Sequence, residues 1–134
     1  MKTSTAKPDL NLGRPSVILA AAILTDANGT LLVRRSDPEG PYTGLWDRPL
    51  FQVGAESPED KLVSGLREEF GIEVESFSLD TVQDDVHEDV FYRRFVFRVG
   101  SYVGQVKTDN SMRWYTDAEI RDVFQLNPLV SRGR

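Results

Sequence analysis

The chain has 134 residues, 40% hydrophobic and 28% charged, enough to bury one sizeable core, and it is expected to form a single domain over residues 16–134. With 21 acidic against 16 basic residues, a net charge of -5 and no run of Lys or Arg longer than two, it lacks the contiguous positive surface that long nucleic acid requires. The absence of cysteine excludes disulfides, thiolate catalysis and Cys-based zinc sites, and no segment is apolar for long enough to span a bilayer, so a cytoplasmic protein with no membrane partner is expected.

Residues 1–9 are polar and lack the apolar centre of a signal peptide, and residues 1–15 read as a flexible leader. The continuous apolar run 17–24 suits a strand buried on both faces, and Asp26-Ala27-Asn28-Gly29 turns it into a second strand over 31–35. Residues 36–43, rich in Gly and Pro, make a loop. Ser57-Pro58-Glu59-Asp60 then opens a helix with a serine cap, a proline at the first helical position and two acids at the positive end of its dipole. Gly71 closes it. Leu62, Val63, Leu66 and Phe70 give this helix one apolar face, while Ser64, Gly65, Glu68 and Glu69 lie on another side. Gly65 costs about 1 kcal/mol relative to alanine in a helix interior, so Gly65→Glu is expected to stabilise the helix.

Strands are predicted over 74–79, 91–99 and 112–115, with an acidic loop over 84–89 that holds the only histidine, His87. Thr116-Asp117-Ala118-Glu119 is a capping box that accounts for Glu119 and starts a last helix through Phe124, which Asn127-Pro128 ends. Trp46, Phe91, Phe95, Phe97 and Trp114 are expected in the core, whereas Tyr42 and Tyr92 are candidates for stacking on a ligand. Alternate side chains of Arg34-Arg35 and Arg93-Arg94 point to opposite faces of a sheet, so Arg34, Arg35 and Arg94 are candidates for meeting phosphate. The order of strands, central helix, strands and last helix is an α+β arrangement with helices covering a mixed β-sheet.

The segment Gly44-Leu45-Trp46-Asp47-Arg48-Pro49, then Glu56, Leu66, Glu68, Glu69 and Gly71-Ile72-Glu73-Val74, resembles the signature and flanks of the Nudix (MutT-type) hydrolases. In that signature an Arg-Glu pair precedes the aliphatic residue and two adjacent glycines follow the proline. Here Ser64 and Gly65 replace the pair, and Leu50 and Phe51 stand for the glycines. The resemblance implies a Nudix-like α/β/α sandwich over about residues 16–126 with a catalytic-type helix at about 58–70. It also implies a pyrophosphohydrolase that cleaves a nucleoside diphosphate linked to another moiety, with Mg2+ or Mn2+ as cofactor. Glu69 would be the main metal ligand, Glu68 would assist, and Glu56 would contribute from the start of the helix. With Gly65 in place of a carboxylate, the general base is open between Glu88, His87, an imidazole being a side-chain type suited to proton transfer, and a metal-bound hydroxide. A nucleotide- or protein-binding module without hydrolysis is the alternative, and a homodimer is compatible with either.

Overall fold

The computed structural model describes residues 15–36 and 42–132. The expected leader, apart from Pro15, and residues 37–41 of the Gly/Pro-rich loop lie outside them. In chain order the elements are β1 (Val17–Ile23), β2 (Thr25–Asp26), β3 (Gly29–Arg34), β4 (Trp46–Asp47), β5 (Leu50–Gln52), α1 (Pro58–Phe70), β6 (Glu73–His87), β7 (Val90–Val103), β8 (Met112–Tyr115), α2 (Asp117–Arg121) and α3 (Pro128–Arg132). One mixed sheet has the order β5-β1-β7-β6, with β1 and β7 parallel and the other pairs antiparallel. The second sheet is built on β3, which pairs with β2 and β4 on one side and with β8 on the other. The fold is α+β.

The central strand β1 explains the layering. Ala20, Ala22 and Leu24 pack with Leu62, Leu66 and Phe70 of α1, together with Phe51, Phe97 and Val99. Leu19, Ala21 and Ile23 face the other way, into a cluster with Tyr42, Leu50, Val96 and Leu129. Both faces of the strand are covered, as its unbroken apolar run predicts. Small alanines at three successive positions, all fully buried, leave room for the layers on either side.

Local signals build α1 as expected. Ser57 Oγ accepts the Asp60 N–H at 3.0 Å, Pro58 takes the first turn, and Gly71 (φ 74) turns the chain out, donating its N–H to the Arg67 carbonyl at 3.1 Å.

Two expectations are corrected. The acidic stretch 84–89 is not a loop: β6 runs on to His87, and only Glu88 (φ 50) and Asp89 (φ 66) form a two-residue turn into β7. A polar strand persists there because the ladder to β7 supplies its hydrogen bonds and Asp84 is gripped across the strands by Arg93 at 2.8 and 2.9 Å. Asn127-Pro128 begins a helix rather than ending one. α2 stops at Arg121, and Asn127 Oδ1 accepts the Leu129 N–H at 2.9 Å, so Asn127 caps α3 with Pro128 in its first turn. Among the described residues no helix is long and apolar enough to cross a membrane.

Candidate functional site

The helix face that carries Glu68 and Glu69 is shaped by an aromatic ring. A Cβ placed on Gly65 would lie 2.6 Å from Phe51 Cδ1, 2.7 Å from Cγ and 2.9 Å from Cε1. Phe51 is buried and held edge-on against Phe70, with centroids 6.2 Å apart. Two of the four departures from the signature are therefore one packing unit: the phenylalanine in place of a glycine fills the space beside the glycine in place of a glutamate. This overturns the expectation that Gly65→Glu stabilises the helix, because helix propensity is local whereas the cost of the new side chain is set by β5. Ser64 Oγ turns back along the helix to the Lys61 carbonyl at 3.4 Å.

Three carboxylates do not gather on this face. Glu56 Oε1 accepts the Gly54 N–H at 2.9 Å, and Lys61 Nζ lies 3.9 Å from its other oxygen. Its own backbone N–H and that of Gly54 hold its carboxyl below the usual carboxylate range. Glu68 stands about 15 Å along the helix from its first residue, Pro58. Glu68 and Glu69 are both exposed and, being consecutive, diverge rather than face each other. Among the described residues no three His, Cys, Asp or Glu side chains are placed to hold a metal ion. The donor set does not fit a divalent ion held in the manner that the signature implies.

The turn at the end of β6 does not supply the missing group. Glu88 sits in that turn and His87 closes the strand, with 3.8 Å between Nε2 and the Glu88 carboxylate. β6 leaves from the C-terminal end of α1, and 15 residues of strand carry the chain about 45 Å at the usual rise. Glu88 and His87 therefore stand far from Glu68 and Glu69.

A different constellation forms on the opposite face of the sheet. Arg94 is directed inward and clasps Asp47 through two parallel bonds, Nη1 to Oδ1 at 2.9 Å and Nη2 to Oδ2 at 2.8 Å. Asn127 Nδ2 donates to the same Oδ2 at 2.9 Å, and the Arg48 N–H donates to Oδ1 at 2.7 Å. Arg94 Nε is buried with no hydrogen-bond partner among the described residues. Above the pair, the Tyr42 ring stacks on the guanidinium at 5.1 Å, lies 6.3 Å from Tyr92 and donates its hydroxyl to Asp85 Oδ2 at 3.2 Å.

Three of the candidate ligand-binding residues, Tyr42, Tyr92 and Arg94, are thus brought together. Arg94 is committed to Asp47 and turned away from solvent. Arg34 and Arg35 stand apart at the end of β3: Arg34 Nη2 reaches Gln125 Oε1 at 3.4 Å, and the backbone of Arg35 bonds Gly44 and Leu45, which fixes the segment that carries Tyr42. Asp47 and Asn127 were not singled out from sequence. The signal that could have found them is Arg94 itself, a charge that alternation sets on the same side of β7 as the buried Val96, where it must find a buried partner.

Burial pushes the Tyr42 phenol well above its usual value of about 10; Arg94 opposes the rise and Asp85 adds to it. The unfolded chain releases that proton near pH 10 while the folded chain keeps it. The stability from this group is therefore complete below about pH 10 and is lost as pH rises above it. Stability measured by denaturation between about pH 10 and 12 is expected to fall less steeply for Tyr42→Phe than for the wild type; equal slopes would show that Tyr42 titrates normally.

No protein-family model matches the chain. Its fold is similar to that of the MutT protein from Methanosarcina mazei Go1 (TM-score 0.76, 23% identity, covering 92% of this chain and 93% of that one). It is also similar to a MutT NUDIX hydrolase from Burkholderia pseudomallei (0.74, 20%, 90% and 95%). A third similar structure is the NUDIX domain of Shewanella oneidensis NrtR, solved with ADP ribose (0.66, 15%, 95% and 88%). The mixed sheet, the helix following β5 and the layers on both faces of β1 agree with these structures over nearly their whole length, and the chain has the Nudix fold.

Proposed function

We propose that this chain is a Nudix-fold module that binds a nucleoside diphosphate derivative and does not hydrolyse it through a carboxylate-held metal. The observation that carries this reading is the Phe51 ring packed against Gly65, which occupies the space of the missing carboxylate. A site under use for metal chemistry has no reason to exchange an acid and a glycine for a closed apolar contact. The NrtR domain, solved with ADP ribose, supports the ligand class. In this reading Arg34 and Arg35 meet the diphosphate and the half-buried Tyr92 meets the base or sugar, while Tyr42, buried against Arg94 and Tyr92, serves as its support.

The test is thermal melting and calorimetric titration with ADP ribose, nucleoside diphosphates and nucleotide sugars, each in Mg2+ and in chelator. A ligand that binds only the folded state raises the melting temperature, and here the rise is expected to be the same with and without metal, with no phosphate released.

A second reading is favoured by one observation, that Glu68 and Glu69 remain side by side and exposed on the helix. It is a Mg2+- or Mn2+-dependent hydrolase of the same substrates. Metal-dependent phosphate release that disappears in Glu69→Gln would establish it and overturn the binding module.

A further inference from the structure

Strand β6 places its apolar side chains outward. Over the unbroken stretch that follows the bulge at Leu79/Thr81, the half-buried positions are Thr81, Gln83 and Asp85, while Val82 and Val86 are 43% and 48% exposed. Alternation in a strand with one covered face runs the other way. β6 is also the end of its sheet, with no strand on its outer side among the described residues. His87 and Val90 close a two-residue turn, so they exchange both ladder bonds. Counting back in twos, residues 85, 83 and 81 also bond β7, and Val82, Asp84 and Val86 direct their N–H and C=O groups away from the sheet. The Val86 N–H agrees: it is met only by the neighbouring Asp85 Oδ1, at 3.1 Å.

We infer that two copies of this chain join edge to edge through β6, antiparallel about a twofold axis at Asp84, to form one continuous eight-stranded sheet. Only this register within the stretch sets Val82 opposite Val86 of the second copy twice over, on one face. It also sets the residues with outward backbone groups opposite one another, so each outward N–H of 82, 84 and 86 finds a carbonyl once Asp85 releases Val86. On the other face Gln83 meets Asp85 and Thr81 meets His87, pairs without like charge. The two Asp84 carboxylates that face each other are already balanced, each held by its own Arg93. Asp80, which this register sets opposite Glu88 of the second copy, lies 3.6 Å from its own Arg98. Asp80 and Asp84 each have an arginine of their own chain, so the edge is not a bare acidic strip, and a second copy is selected by the match of Val82 with Val86 and of the outward backbone groups.

Sedimentation and light scattering of the full chain at about 100 μM should give the mass of two chains of 15.1 kDa, within reach of the weak affinities that small interfaces give. Val82→Lys/Val86→Lys should give one chain with an unchanged far-ultraviolet spectrum. The chain has no cysteine, so Asp84→Cys adds a single thiol whose Cα lies about 5.5 Å from its mate in a hydrogen-bonded pair, inside the span a disulfide bridges. Asp84→Cys should cross-link on oxidation, and Val82→Cys, displaced by four residues from its own mate, should not. A monomeric wild type, a lysine variant that remains dimeric, or equal cross-linking of the two thiol variants would each overturn the proposal; the first would leave the edge to a different partner or to solvent.

Discussion

Asp47→Ala is expected to destabilise the chain by about 3–5 kcal/mol, the range found when one partner of a buried ion pair is removed. Asp47 is 0% and Arg94 1% exposed, so solvent does little to screen the guanidinium left behind. The loss goes beyond one contact. Nη1 and Nη2 of Arg94, Nδ2 of Asn127 and the N–H of Arg48 all donate to this carboxylate. Without it they join Arg94 Nε, which already has no partner among the described residues. Asn127 also caps α3 through Oδ1, so its loosening reaches the layer that covers Leu19 and Ile23. Arg94→Met should cost less, because Asp47 keeps the hydrogen bonds that Asn127 and Arg48 donate to it. Asp47→Leu/Arg94→Met should recover much of the single-variant loss, since replacing both charges by apolar groups of similar volume is often close to neutral. Chemical denaturation of the four proteins decides it. An Asp47→Ala effect below about 1 kcal/mol, the range of exposed pairs, would mean that the pair is hydrated in solution.

The second large effect lies on the other face. Phe51→Ala is expected to cost about 3–5 kcal/mol as a buried aromatic truncation, and it should change the sign of a substitution on the helix. In the wild type, Gly65→Ala is expected to destabilise, because its Cβ would meet the Phe51 ring at 2.6 Å. Overpacking of this kind costs about 1–3 kcal/mol, against a propensity gain of about 1 kcal/mol. With Phe51 cut back to alanine the obstruction disappears, and Gly65→Ala should stabilise by up to about 1 kcal/mol. Gly65→Glu follows the same rule with a larger clash. Denaturation midpoints for the single and double variants give the coupling directly; additive effects would show that Phe51 and Gly65 do not touch. Phe51→Gly/Gly65→Glu, which restores one signature glycine together with the signature glutamate, is the variant in which a metal-dependent gain in melting temperature is expected.

The parts of this protein that the sequence determined by itself are those with local causes. Ser57, Pro58 and Gly71 mark the ends of α1 because capping depends on residues within a turn of each other. The apolar run of β1 announces a strand buried on both sides because each side chain's face follows from alternation alone. The Trp46 segment and the glutamates after it pointed to the Nudix fold through spacing along one short stretch. Local reading failed where a local signal admits two outcomes: Asn127-Pro128 stops one helix and caps the next equally well, and a polar stretch such as 84–87 becomes strand only when a partner strand offers its ladder. The site was decided by tertiary structure. Asp47 finds Arg94 across 47 residues and Asn127 across 80. Gly65, which as a helix residue alone looked like a defect, is the glycine that a ring from β5 requires. Burial makes an unpaired charge or an overlapping atom costly, and which groups are buried together is fixed only when the layers close.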